Sequence, residues 1–169
     1  MPTAILVPSA NDSVSWTGYT GTNYANIDET SYSDADYNYV QVYAGTSAYD
    51  YFVFTDLPSN ASGVTSVKLY WRAANSSGGS TGILYSGFRI GSTDYTRISG
   101  RLTGSFTTYT DTMTTSPATS SAWTVSEVNS MKGFYRIYGE IDGDGGVVGW
   151  MQWEVVYTIG GVRYMFGLS

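Results

Sequence analysis

The sequence predicts an all-β fold, a single antiparallel β-sandwich of jelly-roll-like form. Apolar and polar residues alternate along Val64–Ala74 and again along Gly149–Ile159, which is typical of strands with one buried and one wet face. Further strand candidates recur between turns rich in Gly, Ser, Asn and Asp. A chain of 169 residues is long enough to bury a core, and no linker interrupts it, so residues 1–169 are expected to form one domain.

Ten segments are predicted as strands because they are rich in β-branched and aromatic residues. In chain order they are Ala4–Val7, Tyr37–Tyr43, Tyr51–Thr55, Val64–Ala74, Ile83–Ile90, Thr93–Ile98, Ser105–Met113, Phe134–Ile141, Gly149–Ile159 and Val162–Phe166. Glycines in Asp142–Gly146 supply the backbone freedom of a turn before the ninth strand.

The alternation predicts which side chains face the core on the two long strands. On the first, the inward set is Val67, Leu69, Trp71 and Ala73, and the outward set is Ser66, Lys68, Tyr70 and Arg72. On the second, one face carries Met151, Trp153, Val155, Tyr157 and Ile159, and the other carries Trp150, Gln152, Glu154, Val156 and Thr158.

One short helix is predicted near 124–131. The spacing of Thr124 and Glu127 fits a capping box, in which the two side chains satisfy backbone donors at the helix start. Lys132-Gly133 ends the helix. We expect it to close one end of the core, with Trp123 and Val128 facing inward.

Composition excludes several kinds of chemistry. The chain has no Cys and no His, so disulfides, His/Cys zinc sites and Ser-His-Asp or Cys-His nucleophiles are impossible. Its net charge is −6 and its eight basic residues are scattered, which predicts neither a nucleic-acid nor a membrane partner. No signal-peptide pattern follows Met1, so synthesis in a host cytoplasm is expected.

Two acidic motifs have a functional and a structural interpretation. Asp142-Gly-Asp144-Gly resembles the start of a calcium loop, but Glu154 falls inside a predicted strand, and a hairpin turn is the favoured interpretation. The cluster of Asp28, Glu29, Asp34 and Asp36 is expected to be a solvated loop. The sequence therefore predicts no metal and no cofactor.

A carboxylate pair for glycoside hydrolysis would need two acidic side chains about 5–10 Å apart. Glu140 and Glu154 lie on strands that could be neighbours, so the sequence leaves this hypothesis open. No motif supports it, and we predict no catalytic residues and no enzyme.

Outward aromatic side chains suggest a contact surface instead. Tyr70 and Trp150 could stack on sugar rings or fill a subunit interface. For Trp150, a rim position covered by a loop is an equal alternative. Together with the basic neighbours of Tyr70, the candidate contact surface comprises Lys68, Tyr70, Arg72 and Trp150.

The chain resembles a class of small structural proteins of tailed-bacteriophage virions. The matching segments follow in order as WTGYTGTNYANIDE, DADYNYVQV, YFVFTDLP with VTSVKLYWRAA, SPATSSAWTVSEVNSMKGFYRI and WMQWEVVYTI. The resemblance implies a jelly-roll-like, non-enzymatic protein of the virion. Its first implied role is a capsid decoration or cement protein on the head surface. Its alternative is a tail or fibre component with a glycan-binding sandwich.

The decoration hypothesis carries further expectations. The partners would be the major capsid protein and copies of the same chain, with a homotrimer expected at threefold points of a shell. Residues 1–12 would form an N-terminal contact arm, or the following loop, Asn11–Asn26, would make the contacts. A stand-alone carbohydrate-binding module and a small glycosidase are the remaining hypotheses.

Overall fold

The computed structural model describes residues 1–31, 34–76 and 82–160. Its strands are β1 Thr3–Leu6, β2 Pro8–Val14, β3 Thr17–Gly18, β4 Asn38–Val42, β5 Ser47–Phe54, β6 Ala61–Asn75, β7 Ile83–Ile90, β8 Thr93–Arg101, β9 Thr107–Met113, β10 Lys132–Tyr138 and β11 Asp144–Ile159. One α-helix, α1, spans Val125–Ser130, and a single 3-10 turn spans Tyr24–Asn26.

The strands form two antiparallel sheets. Sheet 1 has the order β3-β4-β11-β6-β9, and β1 pairs with β11 beside that path. Sheet 2 has the order β2-β5-β10-β7-β8. Most consecutive strands alternate between the two sheets, as in a jelly roll. The predicted antiparallel β-sandwich is confirmed.

The inner faces of the two sheets meet in an aromatic core. The inward set predicted on β6 is fully buried, and Met151, Trp153 and Val155 oppose it on β11. The ring of Trp153 stacks on Phe54 of sheet 2 with centroids 3.8 Å apart. Ile159 was expected to face the core but is 52% exposed, because the pairing of β11 with β6 shifts register after Thr158.

The predicted helix is present at the edge of this core. The Thr124 side chain accepts a hydrogen bond from the backbone N–H of Glu127 at 3.1 Å, which is half of the predicted capping box. The Glu127 carboxylate accepts from the Ser116 hydroxyl. Trp123 and Val128 are buried as predicted. No helix among the described residues has the length and apolar character needed to cross a membrane.

The predicted turn over Asp142–Gly146 extends too far along the chain. Strand β11 already begins at Asp144, and both Gly145 and Gly146 lie within it. A Cβ on Gly145 would collide with the Ser76 hydroxyl, and one on Gly146 would press on Trp16 at 3.3 Å. These glycines permit close packing rather than a turn.

A register shift between Val148 and Trp150 changes which side chains of β11 face outward. Val148 faces the core, and the next residue to do so is Met151, so Trp150 and Gln152 lie on the outer face.

The N-terminal segment is part of both sheets. β1 pairs with residues 153–156 of β11, and β2, which the sequence analysis missed, pairs with β5. Residues 1–12 therefore lie in the sandwich wall, and their contact with a partner stays a prediction. The predicted strand Val162–Phe166 lies outside the described residues.

Candidate functional site

The four residues of the predicted contact surface come together on the outer face of sheet 1. Arg72 of β6 lies opposite Trp150 of β11, and Tyr70 lies opposite Gln152. The rings of Tyr70 and Trp150 are 5.7 Å apart between centroids. We call Lys68, Tyr70, Arg72 and Trp150 the Lys68–Trp150 patch.

Neighbouring side chains already engage the charges and polar atoms of this patch. The Arg72 guanidinium forms a bidentate pair with Asp34, with N–O distances of 2.6 and 2.7 Å. This pairing holds the pKa of Asp34 below its usual value. Lys68 lies 4.4 Å above the Tyr70 ring, and the Tyr70 hydroxyl donates to Glu154 at 3.1 Å. The positive charge of Arg72 is therefore paired within the chain, and the role of this patch as a contact surface stays a prediction.

Trp150 is covered rather than exposed. Only 5% of the residue is accessible, and its indole N–H donates to the backbone carbonyl of Glu29 at 2.7 Å. The covering segment, residues 27–31, is anchored where the Ile27 carbonyl accepts from the backbone N–H of Met151 at 3.2 Å. Of the two interpretations that the sequence left open, the loop-covered one describes Trp150.

The carboxylates of Asp142 and Asp144 accept backbone hydrogen bonds rather than forming a reactive pair. Asp144 accepts from the backbone N–H groups of Glu140 and Ile141, and Asp142 accepts from that of Ala44. Glu154 lies ten residues along β11 from Asp144, roughly 30 Å at the rise of a strand, so Glu140 and Glu154 form no catalytic pair. Within the described ranges, no group of three or more acidic residues could hold a metal ion.

A different part of sheet 1 presents exposed rings. At the β3–β4 edge, an open cleft of about 570 Å³ is bordered by three tyrosines. Its volume is in the usual range of small-molecule sites. We call it the tyrosine cleft, and its lining residues are Thr17, Tyr19, Tyr37, Tyr39, Val40, Gln41, Ser76 and Val147.

The three rings of the cleft form a connected group that remains open to solvent. Tyr19 and Tyr37 stack with centroids 4.6 Å apart, and Tyr39 meets Tyr37 edge-on at 6.4 Å. Tyr19 is 57% exposed and Tyr39 is 41% exposed. Exposed, mutually supported aromatic rings are unusual on a protein surface and mark a place where apolar area is available to a ligand.

Polar groups of the cleft are uncharged. Thr17 and Ser76 contribute hydroxyls that donate and accept hydrogen bonds, and Gln41 contributes an amide. The glycine at 145 leaves room for Ser76 and Gln41 to approach each other across β11. None of the described lining residues is an acid or a base, so this part of the cleft suits a neutral ligand with many hydroxyls.

A buried carboxylate positions the chain that carries Tyr19. Asp50 on β5 is fully buried and accepts from the backbone N–H groups of Ser15 at 2.6 Å and Trp16 at 2.9 Å. Its second oxygen accepts from the Asn23 amide at 2.8 Å and the Tyr135 hydroxyl at 2.9 Å. Burial raises the pKa of Asp50, and these four donors oppose that rise.

Asparagines extend this network to the base of the cleft. The Asn26 amide donates to Asn38 at 2.9 Å, and the Asn38 amide donates to the Tyr135 hydroxyl at 2.7 Å. A Cβ on Gly18 would lie 2.7 Å from the Asn26 amide, so β3 can pack here only with glycine. Tyr19 follows immediately, with its backbone N–H bound to the Tyr37 carbonyl at 2.9 Å. We call Asp50, Asn23, Asn26 and Asn38 the polar clamp.

The contact surface predicted from the sequence does not include these tyrosines, although the sequence contains a pattern that points to them. In the segment NYVQVY, Tyr39, Gln41 and Tyr43 alternate with valines that face inward. The alternation could have indicated an outward aromatic row. The exposure of Tyr39 and Tyr43 is evident only from the fold.

No protein-family model and no curated protein matches this sequence. Among solved structures, the chain is similar to the C-terminal CBM6 of LamC, a marine laminarinase from Zobellia galactanivorans. The identity is 12%, the match covers 92% of this chain and 99% of that one, and the TM-score is 0.44. It is also similar to a structure described as a CBM4, at 12% identity, 76% coverage of each chain and a TM-score of 0.44. At this similarity neither neighbour assigns a ligand to the chain.

Proposed function

We propose that this protein is a non-enzymatic, glycan-binding β-sandwich whose tyrosine cleft takes a neutral sugar chain. The observation that carries the proposal is a connected group of three rings in this cleft: Tyr19 and Tyr39 are exposed, and the half-buried Tyr37 stacks on the first and meets the second edge-on. A sugar ring has an apolar face and a rim of hydroxyls. Tyrosine rings complement the face, and hydroxyl and amide side chains complement the rim.

Preorganisation supports the same proposal. The polar clamp and the β3–β4 pairing hold the backbone around Tyr19 in place before any ligand arrives. A rigid site loses less conformational entropy on binding than a mobile one, which matters for a hydrophilic ligand with modest contact energy.

The experiment is affinity electrophoresis through laminarin, hydroxyethyl cellulose, xylan and galactomannan, with alginate as a charged comparison. We expect at least one neutral polysaccharide to retard the wild-type protein. Tyr39→Ala should weaken that interaction about tenfold, the equivalent of ~1.4 kcal/mol, because it removes a stacking surface. Tyr39→Phe keeps the ring and should bind nearly as well as the wild type.

Tyr138→Ala is the matched control, since Tyr138 is 37% exposed on sheet 2 outside the cleft. Equal binding by Tyr39→Ala and wild type, or no retardation in any neutral gel, would overturn the proposal. The polysaccharide should be recovered uncleaved after incubation, as expected for a protein without catalytic residues.

Placement in a phage particle stays a prediction from the sequence resemblance. A glycan-binding cleft favours its tail or fibre alternative over head decoration, because a tail component meets the host surface. The number of copies in purified particles distinguishes the two, with few copies expected for a tail component and hundreds for a decoration protein bound with the major capsid protein.

A further inference from the structure

A second groove adjoins the tyrosine cleft along β4. It has a volume of about 290 Å³ and is lined by Gln41, Val42, Tyr43 and Gly143. Gln41 lines both depressions, so they meet at this side chain. Tyr43 is 73% exposed, more than any ring of the tyrosine cleft.

The backbone around Tyr43 is held by several hydrogen bonds, although its side chain is exposed. The Tyr43 carbonyl accepts from the backbone N–H of Thr46 at 3.0 Å and from its hydroxyl at 2.7 Å. The next residue, Ala44, donates its N–H to Asp142 at 2.9 Å. On the preceding side, the Val42 carbonyl accepts from Gly143 at 3.1 Å. An exposed ring on a fixed backbone is a preorganised contact surface.

Glycines make this tight turn possible. Gly45 has a φ of +75°, which side chains other than glycine rarely adopt, and its N–H donates to the Gly139 carbonyl at 2.8 Å. A Cβ on Gly139 would lie 2.5 Å from the Tyr43 carbonyl oxygen. Hydrogen bonds between the turn after β4 and the segment before β11 therefore hold the backbone of Tyr43 in place.

The spacing of the tyrosines indicates the length of the ligand. Tyr39 and Tyr43 are four residues apart, about 13 Å along a strand. This span exceeds one sugar ring, so a single sugar cannot contact both tyrosines, whereas an oligosaccharide can. Among the described residues, the groove lining, like that of the cleft, includes no charged side chain.

We infer that Tyr43 forms an outer subsite that continues the tyrosine cleft, so the protein binds an extended stretch of a neutral sugar chain rather than a single sugar. This inference rests on the proposed function of the cleft. Tyr39 and its neighbours hold one part of the chain, Gln41 bridges the two depressions, and Tyr43 stacks on a later ring.

The test is calorimetric titration with oligosaccharides of one to six units cut from whichever polysaccharide of the panel retards the wild type. We expect wild-type affinity to rise with chain length until both subsites are filled. Tyr43→Ala should remove that rise, binding the hexasaccharide about fivefold more weakly while binding the shortest ligand as the wild type does. Tyr43→Phe should behave as the wild type.

The outcomes separate the two proposals. If Tyr39→Ala weakens binding but Tyr43→Ala binds every length as the wild type does, the outer subsite is wrong and the cleft stands. If Tyr43→Ala weakens all lengths equally, the ring acts on the cleft itself and the subsite is also wrong. If no polysaccharide binds the wild type, both proposals fail. Tyr138→Ala again serves as control, and thermal melting verifies that each variant is folded.

Discussion

The tyrosine cleft and the Lys68–Trp150 patch occupy the outer face of the same sheet, and both combine aromatic rings with polar side chains. In the patch, Arg72 is paired with Asp34 and Trp150 is covered by residues 27–31. In the cleft, the rings of Tyr19 and Tyr39 remain exposed on a held backbone. The difference indicates that a binding surface is marked by unfilled contact area on a rigid support, not by residue type.

The largest expected effect is the loss of stability on replacing Asp50, the buried carboxylate of the polar clamp beside the cleft. Asp50→Ala leaves the donors of Ser15, Trp16, Asn23 and Tyr135 without their buried acceptor. We expect a loss of about 3 kcal/mol or more in the free energy of unfolding, measured by urea denaturation. Asp56→Ala, at an exposed loop position, should change it by less than about 0.5 kcal/mol.

Asp50→Asn offers a milder version of the same test, because the amide keeps the shape of the carboxylate. Hydrogen exchange should accelerate at the amides of residues 15–23, which the clamp holds, and stay unchanged at residues 27–31, which cover the patch. Uniform acceleration in both segments would contradict a clamp specific to the cleft.

Trp150→Ala should give the next largest effect. We expect it to lower the stability of the protein without changing its affinity for the sugar. Removing a side chain that is 5% exposed should cost about 3 kcal/mol of stability. Affinity for the polysaccharide that binds the wild type should be unchanged, because the covering segment keeps the ring from any ligand. A loss of affinity as large as that of Tyr39→Ala would show that the patch contacts the sugar.

The smallest effect concerns the ion pair of the patch. The folded-state pKa of Asp34 is lowered by Arg72, so the pair stabilises the protein above the usual aspartate pKa of 3.8 and loses that contribution as the pH falls through the lowered value. Asp34→Asn should cost less than about 1 kcal/mol at pH 7, since the Asp34 side chain is 43% exposed. The difference from wild type in urea denaturation should shrink as the pH falls through that lowered pKa; a difference that stays constant with pH would contradict the charge argument.

Much of the fold followed from local pattern. The faces of β6 and β11, the bounds of β7 and the Thr124 cap could be predicted because each depends on neighbours in the sequence. The candidate site could not be predicted in this way, because it depends on contacts between segments that are distant in the sequence. Tyr39 and Trp150 both lie on outward faces of predicted strands, and the path of residues 27–31 decides which of them is covered.

The glycines between residues 142 and 147 show the same limit of prediction from local sequence. Gly143 has a φ of +85°, as a turn glycine should, whereas Gly145 and Gly146 lie in β11, where a Cβ would collide with Ser76 at the first position and press on Trp16 at the second. A local pattern cannot distinguish these two uses, since the second depends on strands that are far away in the sequence.

The position of β11 in sheet 1 has a consequence for the order of assembly. β1, β4 and β6 all pair with β11, the last described strand, whereas every strand of sheet 2 within residues 1–160 precedes it in the chain. During synthesis on the ribosome, sheet 2 can therefore form while sheet 1 still lacks its central strand. Contacts of such long sequence separation slow folding. The nascent protein is expected to expose the inner face of sheet 2 until β11 has left the ribosome and paired, and a chain truncated before β11 should bind chaperones.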